Sequence, residues 1–96
     1  MNKYESVFLI KGRIKQEKAE KEFEKITKEY SKIVKIVEAN FVGKRKLAYP
    51  VNKNTNGYFC VIDFEAENHD ISVKAENILK EHTENVLKFI TVKMEN

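Results

Sequence analysis

The chain has 96 residues, which at about 100–200 residues per domain predicts a single domain over 1–96 with one modest core. Hydrophobic residues make up 42%, too many for a disordered tract, and no apolar run approaches the roughly 18 residues of a membrane span. The net charge of +3 is unevenly spread: residues 1–53 carry fourteen Lys/Arg against seven acids, and residues 54–96 carry four against eight.

Tyr4–Lys11 contains Val7-Phe8-Leu9-Ile10, a run of strand formers that Gly12 ends. From Lys15 to Ile33 the apolar positions are Ala19, Phe23, Ile26, Tyr30 and Ile33, the spacing of one helix face. Val34–Val42 reads as a strand continuing past Gly43 towards Tyr49, and Pro50 should end regular pairing or sit on an edge. Asn52–Gly57 is polar and closes on Asn56-Gly57, a turn dipeptide, so the turn is expected there. Tyr58–Ala66 alternates, with Tyr58, Cys60, Ile62 and Phe64 on one face and Phe59, Val61, Asp63 and Glu65 on the other. Asn68, His69 and Asp70 suit a helix start, and Ile71, Ala75, Ile78, Leu79 and His82 follow at helical spacing. Val86–Met94 is the last strand. The order β-α-β-β-α-β predicts an α+β, ferredoxin-like sandwich: a four-stranded antiparallel sheet with two helices on one face.

Little in this chain suits catalysis. His69 and His82 lie thirteen positions apart, without a Cys or carboxylate spacing that completes a metal site. Cys60, the lone cysteine, excludes an internal disulfide and falls on the inward strand face, where a buried structural thiol is expected. Asp63 and Glu65 share a strand face, which more often marks the polar side of a sheet than paired catalytic carboxylates. No enzyme activity, metal or cofactor is expected.

The stretch Gly43-Lys44-Arg45-Lys46-Leu47-Ala48-Tyr49-Pro50-Val51-Asn52-Lys53 holds four positive charges and no acid. Adjacent positives repel one another and favour an anionic partner. Tyr49 adds a ring that could stack on a base, the alternative being a tyrosine packed on the core. The face of Phe59 and Val61 points away from the helices, and the strands at 7–10 and 86–92 are apolar on both faces. A wet sheet face should alternate more cleanly, so a covering partner chain is expected there.

The segment from Gly43 through Lys44, Arg45 and Lys46 into Leu47-Ala48-Tyr49-Pro50-Val51 resembles the signature of the bacterial small-subunit ribosomal protein six family. The opening Met1-Asn2-Lys3-Tyr4-Glu5 and the run Asn56-Gly57-Tyr58-Phe59 are similar to that family as well. The resemblance implies a structural, non-enzymatic role, in the cytoplasm and in the ribosome. It implies binding to the central domain of small-subunit ribosomal RNA together with ribosomal protein eighteen as a heterodimer. It makes Lys3, Lys44, Arg45, Lys46 and Tyr49 RNA-side candidates, to which the charge of the basic stretch adds Lys53, and it makes Phe59 and Val61 the partner face. Lys44 and Lys46 are lysines where the family commonly has arginine, and Ser6 stands where an aliphatic residue is usual. The acidic C-terminal tail of some members has no counterpart in this sequence, so tail modification is not expected. The competing reading is an independent single-stranded-RNA module of the RNA-recognition type, although Asn56 and Phe59 depart from that motif. Neither a membrane nor a small-molecule substrate is expected as a partner.

Overall fold

The computed structural model describes residues 2–51 and 53–94. The elements are β1 (Asn2–Lys11), α1 (Gln16–Ser31), β2 (Lys35–Val51), β3 (Asn54–Ala66), α2 (His69–Glu81) and β4 (Val86–Lys93). The strands form one sheet in the order β2-β3-β1-β4, and every neighbouring pair is antiparallel. This is the expected ferredoxin-like arrangement. β1 and β3, whose helix-side rows Tyr4–Ile10 and Tyr58–Phe64 supply most of the buried strand residues, occupy the centre. Charged β2 and short β4 take the edges.

Strand alternation sorts the side chains as the sequence predicts. Tyr4, Ser6, Phe8 and Ile10 of β1, with Tyr58, Cys60, Ile62 and Phe64 of β3, are buried beneath the helices. From α1, Ala19, Phe23, Ile26 and Tyr30 close this face; from α2, Ala75, Ile78 and Leu79 do so. Aromatic rings carry much of the packing. Phe23 lies 6.1 Å from Phe8 and 5.8 Å from Phe41, and Phe64 stacks on Tyr4 while meeting Tyr30 edge-on at 5.5 Å. Such pairs contribute about 0.5–1.5 kcal/mol beyond the area they bury.

Ser6 is fully buried, and its polarity is matched. The Tyr30 hydroxyl donates to Ser6 Oγ at 3.0 Å, and the Ser6 and Thr91 hydroxyl oxygens lie 2.7 Å apart. A hydroxyl trio thus joins β1, α1 and β4 where an aliphatic side chain would otherwise pack.

Asn68 caps α2 by accepting from the Ile71 amide at 3.1 Å, an interaction worth about 1 kcal/mol. At the other end of α2, His82 reaches α1. Its Nε2 lies 2.8 Å from Glu29 Oε2 and its Nδ1 lies 3.3 Å from Glu22 Oε1. Asn85 Nδ2 donates to the other oxygen of Glu22. The histidine that the sequence placed at helical spacing, with no metal-site pattern, is therefore a tie between the helices.

The predicted turn moves. β3 already begins at Asn54, which pairs with Val51, and Lys53 takes the positive φ of 66° that the reversal needs. Asn56 and Gly57 lie inside β3, opposite Lys46 and Arg45. Gly57 serves packing rather than turning: a Cβ there would stand 2.5 Å from Leu9 Cδ1. Asn52 lies outside the described residues.

Pro50 satisfies both halves of its expectation. It sits on an edge strand, and regular pairing fails around it. The ladder passes from Lys46↔Asn56 to Val51↔Asn54, so Leu47-Ala48-Tyr49-Pro50 stand opposite Thr55 alone.

Candidate nucleic-acid and partner interfaces

The basic run lies on the edge of the sheet near the β2–β3 turn. Lys44 pairs with Tyr58, Arg45 with Gly57 and Lys46 with Asn56, and all three side chains are exposed. Successive strand residues point to opposite faces. Lys44 accordingly turns to the helix side, where its Nζ lies 5.7 Å from the centroid of the buried Tyr58 ring. The positive charge thus straddles the strand edge instead of lining one face. Gly43 precedes it at a ladder irregularity with φ of 115°, a backbone that glycine alone adopts readily.

Lys53 lies at the turn itself and is exposed. Its carbonyl accepts from Arg13 Nη2 at 3.3 Å. Gly12 makes this approach possible, since a Cβ there would meet the Asn56 carbonyl oxygen at 2.5 Å. Arg13 therefore joins the basic end of the molecule, a role the sequence reading missed. Its linear signal was only a glycine ending a strand. The pairing of Lys11 with Gly57 brings it to the hairpin.

Tyr49 is 79% exposed, so its ring is free for stacking and is not packed on the core. Lys3 does not join these groups. It pairs with Glu65 near the opposite end of β1, eight residues or about 26 Å of strand from the row of Lys11.

The sheet face away from the helices carries Val7 and Leu9 of β1, Phe59 and Val61 of β3, and Ile90 and Val92 of β4. The pairings Leu9↔Phe59, Val7↔Val61, Val7↔Ile90 and Glu5↔Val92 fix this arrangement. Phe59 is 37% exposed and Ile90 59%. No helix covers these side chains. Instead the displaced segment Leu47–Val51 borders a groove of about 390 Å³, floored by Val7, Leu9, Phe59 and Ile90 with Lys88 at its side.

Beyond the apolar rows the same face becomes acidic. Glu5 and Asp63 stand directly opposite each other on the central strands. The hydrogen bond with Asp63, followed by desolvation and the charge of Asp63, holds the Glu5 carboxyl above the ordinary carboxylate range. Glu65, which the sequence pattern coupled to Asp63, instead has Lys35 Nζ at 3.9 Å.

Cys60 is fully buried, and burial pushes its thiol up to about 12, the opposite of what a nucleophile needs. Among the described residues no cluster of His, Cys, Asp and Glu is placed to hold a metal ion, and no helix is long and apolar enough to cross a membrane.

Comparison with known proteins agrees with this geometry. A family model described as ribosomal protein S6 matches residues 3–93. The small ribosomal subunit protein bS6 of a Sulfurovum species is 36% identical over 94 residues, an alignment covering 97% of this chain and 72% of that protein. The bS6 protein of Clostridium novyi is 32% identical over 96 residues, with 99% of each chain covered. The crystal structure of 30S ribosomal protein S6 from Thermotoga maritima superimposes with a TM-score of 0.85, covering 97% of this chain and 87% of that one. At 24% identity that last likeness is one of fold.

Proposed function

The chain belongs to the ribosomal protein S6 family of the small ribosomal subunit, and from that premise we propose that it binds the central domain of small-subunit ribosomal RNA jointly with ribosomal protein eighteen. Its role is structural, in the assembled ribosome of the cytoplasm, and not catalytic. The observation that carries this reading is an uncovered apolar sheet face next to an exposed basic hairpin.

The two surfaces divide the work. Lys44, Arg45, Lys46 and Lys53, with Arg13 beside them, neutralise phosphates and release counterions. Tyr49 offers an exposed ring to an unstacked base. Phe59 and Val61 meet the protein partner. Lysine dominates the basic set, which suits backbone contact over the reading of base edges. Lys3, distant from the hairpin, would touch RNA only where the nucleic acid wraps round the other end of the sheet.

The independent RNA-recognition reading is weaker for a specific reason. Such modules stack bases on aromatic rings of both central strands. Here Phe8 of β1 is 1% exposed on the helix side, so β1 presents Val7 and Leu9 to the open face. Phe59 is left without a companion ring on β1.

Mixing the purified chain with ribosomal protein eighteen and a central-domain RNA fragment, singly and together, tests the proposal. Tight binding is expected only with both proteins present. Replacing Lys44, Arg45 and Lys46 by alanine should lower the slope of log affinity against log salt by about 1 for every phosphate left without its cation. Tight binding of this chain alone to unstructured RNA would overturn the joint mechanism.

A further inference from the structure

The open face changes character along the strands. At the hairpin end it is an apolar groove under Leu47–Val51. In the middle it remains apolar through Val7, Val61 and Ile90. Then Glu5 meets Asp63, with Val92 on the other flank of Glu5. Like charges directly opposite on neighbouring strands destabilise a sheet, and the charge of Asp63 is the third cause, after the hydrogen bond between the two carboxyls and desolvation, that raises the Glu5 carboxyl. Asp63 Oδ1 is covered by its surroundings and has no hydrogen-bond partner among the described residues.

We propose that the protein partner grips the open face in two unlike ways: an apolar side chain seated in the groove beneath Leu47–Val51, and a lysine or arginine set against Glu5 and Asp63. This rests on the partner reading above and specifies its chemistry. The occupant is a polypeptide because the two requirements exclude RNA. Phosphates are repelled by paired carboxylates, and they leave Val7, Val61 and Ile90 uncovered. A cation delivered there relieves the repulsion and supplies a donor to Asp63 Oδ1, which has none among the described residues. The rows of Leu9–Phe59 and Glu5–Asp63 are four residues apart, about 13 Å along the strands. The partner segment therefore carries its apolar and basic side chains about that far apart on one face.

The division of charge also gives orientation. Lys88 lies beside the groove, opposite Leu9, while the carboxylates lie at the other end of the apolar rows. A partner segment laid in reverse brings its cation to Lys88 and leaves Glu5 and Asp63 unmatched. Repulsion against the wrong orientation selects the right one.

The test titrates purified ribosomal protein eighteen against four forms of the full chain: wild type, the double variant Glu5→Gln/Asp63→Asn, Phe59→Ser, and Lys88→Ala. The double variant removes a like-charge pair, so its thermal stability should equal or exceed that of the wild type. A loss of binding by that variant is therefore not a loss of fold. Its affinity is expected to fall about tenfold at low salt, and the difference is expected to shrink as salt rises. Phe59→Ser, checked by circular dichroism, should weaken binding at every salt concentration. Lys88→Ala should leave affinity within about twofold. If Phe59→Ser weakens binding and the carboxylate variant does not, the basic half of the grip is wrong while the partner reading stands. If neither weakens binding, the partner reading itself fails and takes this inference with it. Concentration-dependent dimers of the wild-type chain, abolished by Phe59→Ser, would make a second copy the occupant and overturn the proposal.

Discussion

One sheet presents two apolar faces, and they behave as different materials. Beneath the helices, Phe8, Ile10, Cys60, Ile62 and Phe64 are almost completely buried. On the opposite side, Phe59, Ile90 and Val92 remain more than a third exposed. Residue type barely distinguishes them; cover does. The first face stores folding energy. The second holds apolar area still exposed to water, at about 25 cal/mol for each Å² a partner removes. Hydrophobicity in this sequence thus has two addresses, one for folding and one for assembly.

The sharpest way to break this comparison is to truncate one residue on each face. Phe8→Ala, which opens a cavity among Phe23 and its neighbours, should cost about 3–5 kcal/mol by denaturant unfolding. Ile90→Ser on the open face should change stability by less than about 1 kcal/mol. Equal costs would mean that the open face is part of the folding core. Gly57→Ala comes next. Its methyl collides with Leu9, so a loss of about 1–3 kcal/mol is expected. Adding Leu9→Ala should recover part of that loss, because the clash then has no second party.

Titration sharpens the same contrast. Burial pushes Cys60 up to about 12 and, as the leading cause, Tyr30 up to about 12 as well, from ordinary values of 9.0 and 10.0. In the unfolded chain these groups release their protons first. The unfolded state therefore binds fewer protons above about pH 9, and stability should fall as pH rises from there towards 12. Cys60→Ala should flatten the lower part of that limb in an unfolding series at alkaline pH. On the open face the smallest effect is expected. The folded Glu5 carboxyl keeps its proton to a higher pH than the unfolded one, so its contribution is favourable at low pH. That contribution disappears as pH rises through the folded value. Glu5→Gln should remove this shallow acid-side slope and leave the alkaline limb unchanged.

The elements were legible because their periodicities were clean. The spacing of Ala19, Phe23, Ile26 and Tyr30 marks one helical face, and alternation from Tyr58 to Phe64 fixes both sides of β3. Asn68 was legible as a cap for the same local reason. The misplaced turn shows where local signals mislead. Asn56-Gly57 is a turn dipeptide by composition, but its glycine answers to Leu9, a residue 48 positions earlier in the chain. Lys53 accommodates the positive φ instead.

The candidate site was legible as composition and less so as geometry. Three consecutive cations announced a basic patch, yet pleating splits them between faces. Arg13 and the Glu5–Asp63 pair were invisible because each depends on the register between strands distant in sequence. His82 likewise gave no sign of Glu22 and Glu29, which only the packing of α2 against α1 brings within reach.

The buried hydroxyls of Ser6, Tyr30 and Thr91 bear on a choice that hydrophobicity leaves open. β4 is apolar on both faces, with Val86 and Phe89 on the helix side and Ile90 and Val92 on the other. A slip of one residue against β1 would exchange these sets at little cost in buried area. It would also put Ile90 or Val92 opposite Ser6, sealing hydroxyls in the core without their partner, at about 1–3 kcal/mol for each group left unmatched. Thr91 is therefore the tooth of a key. Apolar matter makes β4 adhere to the sheet, and one hydroxyl tells it where to stop.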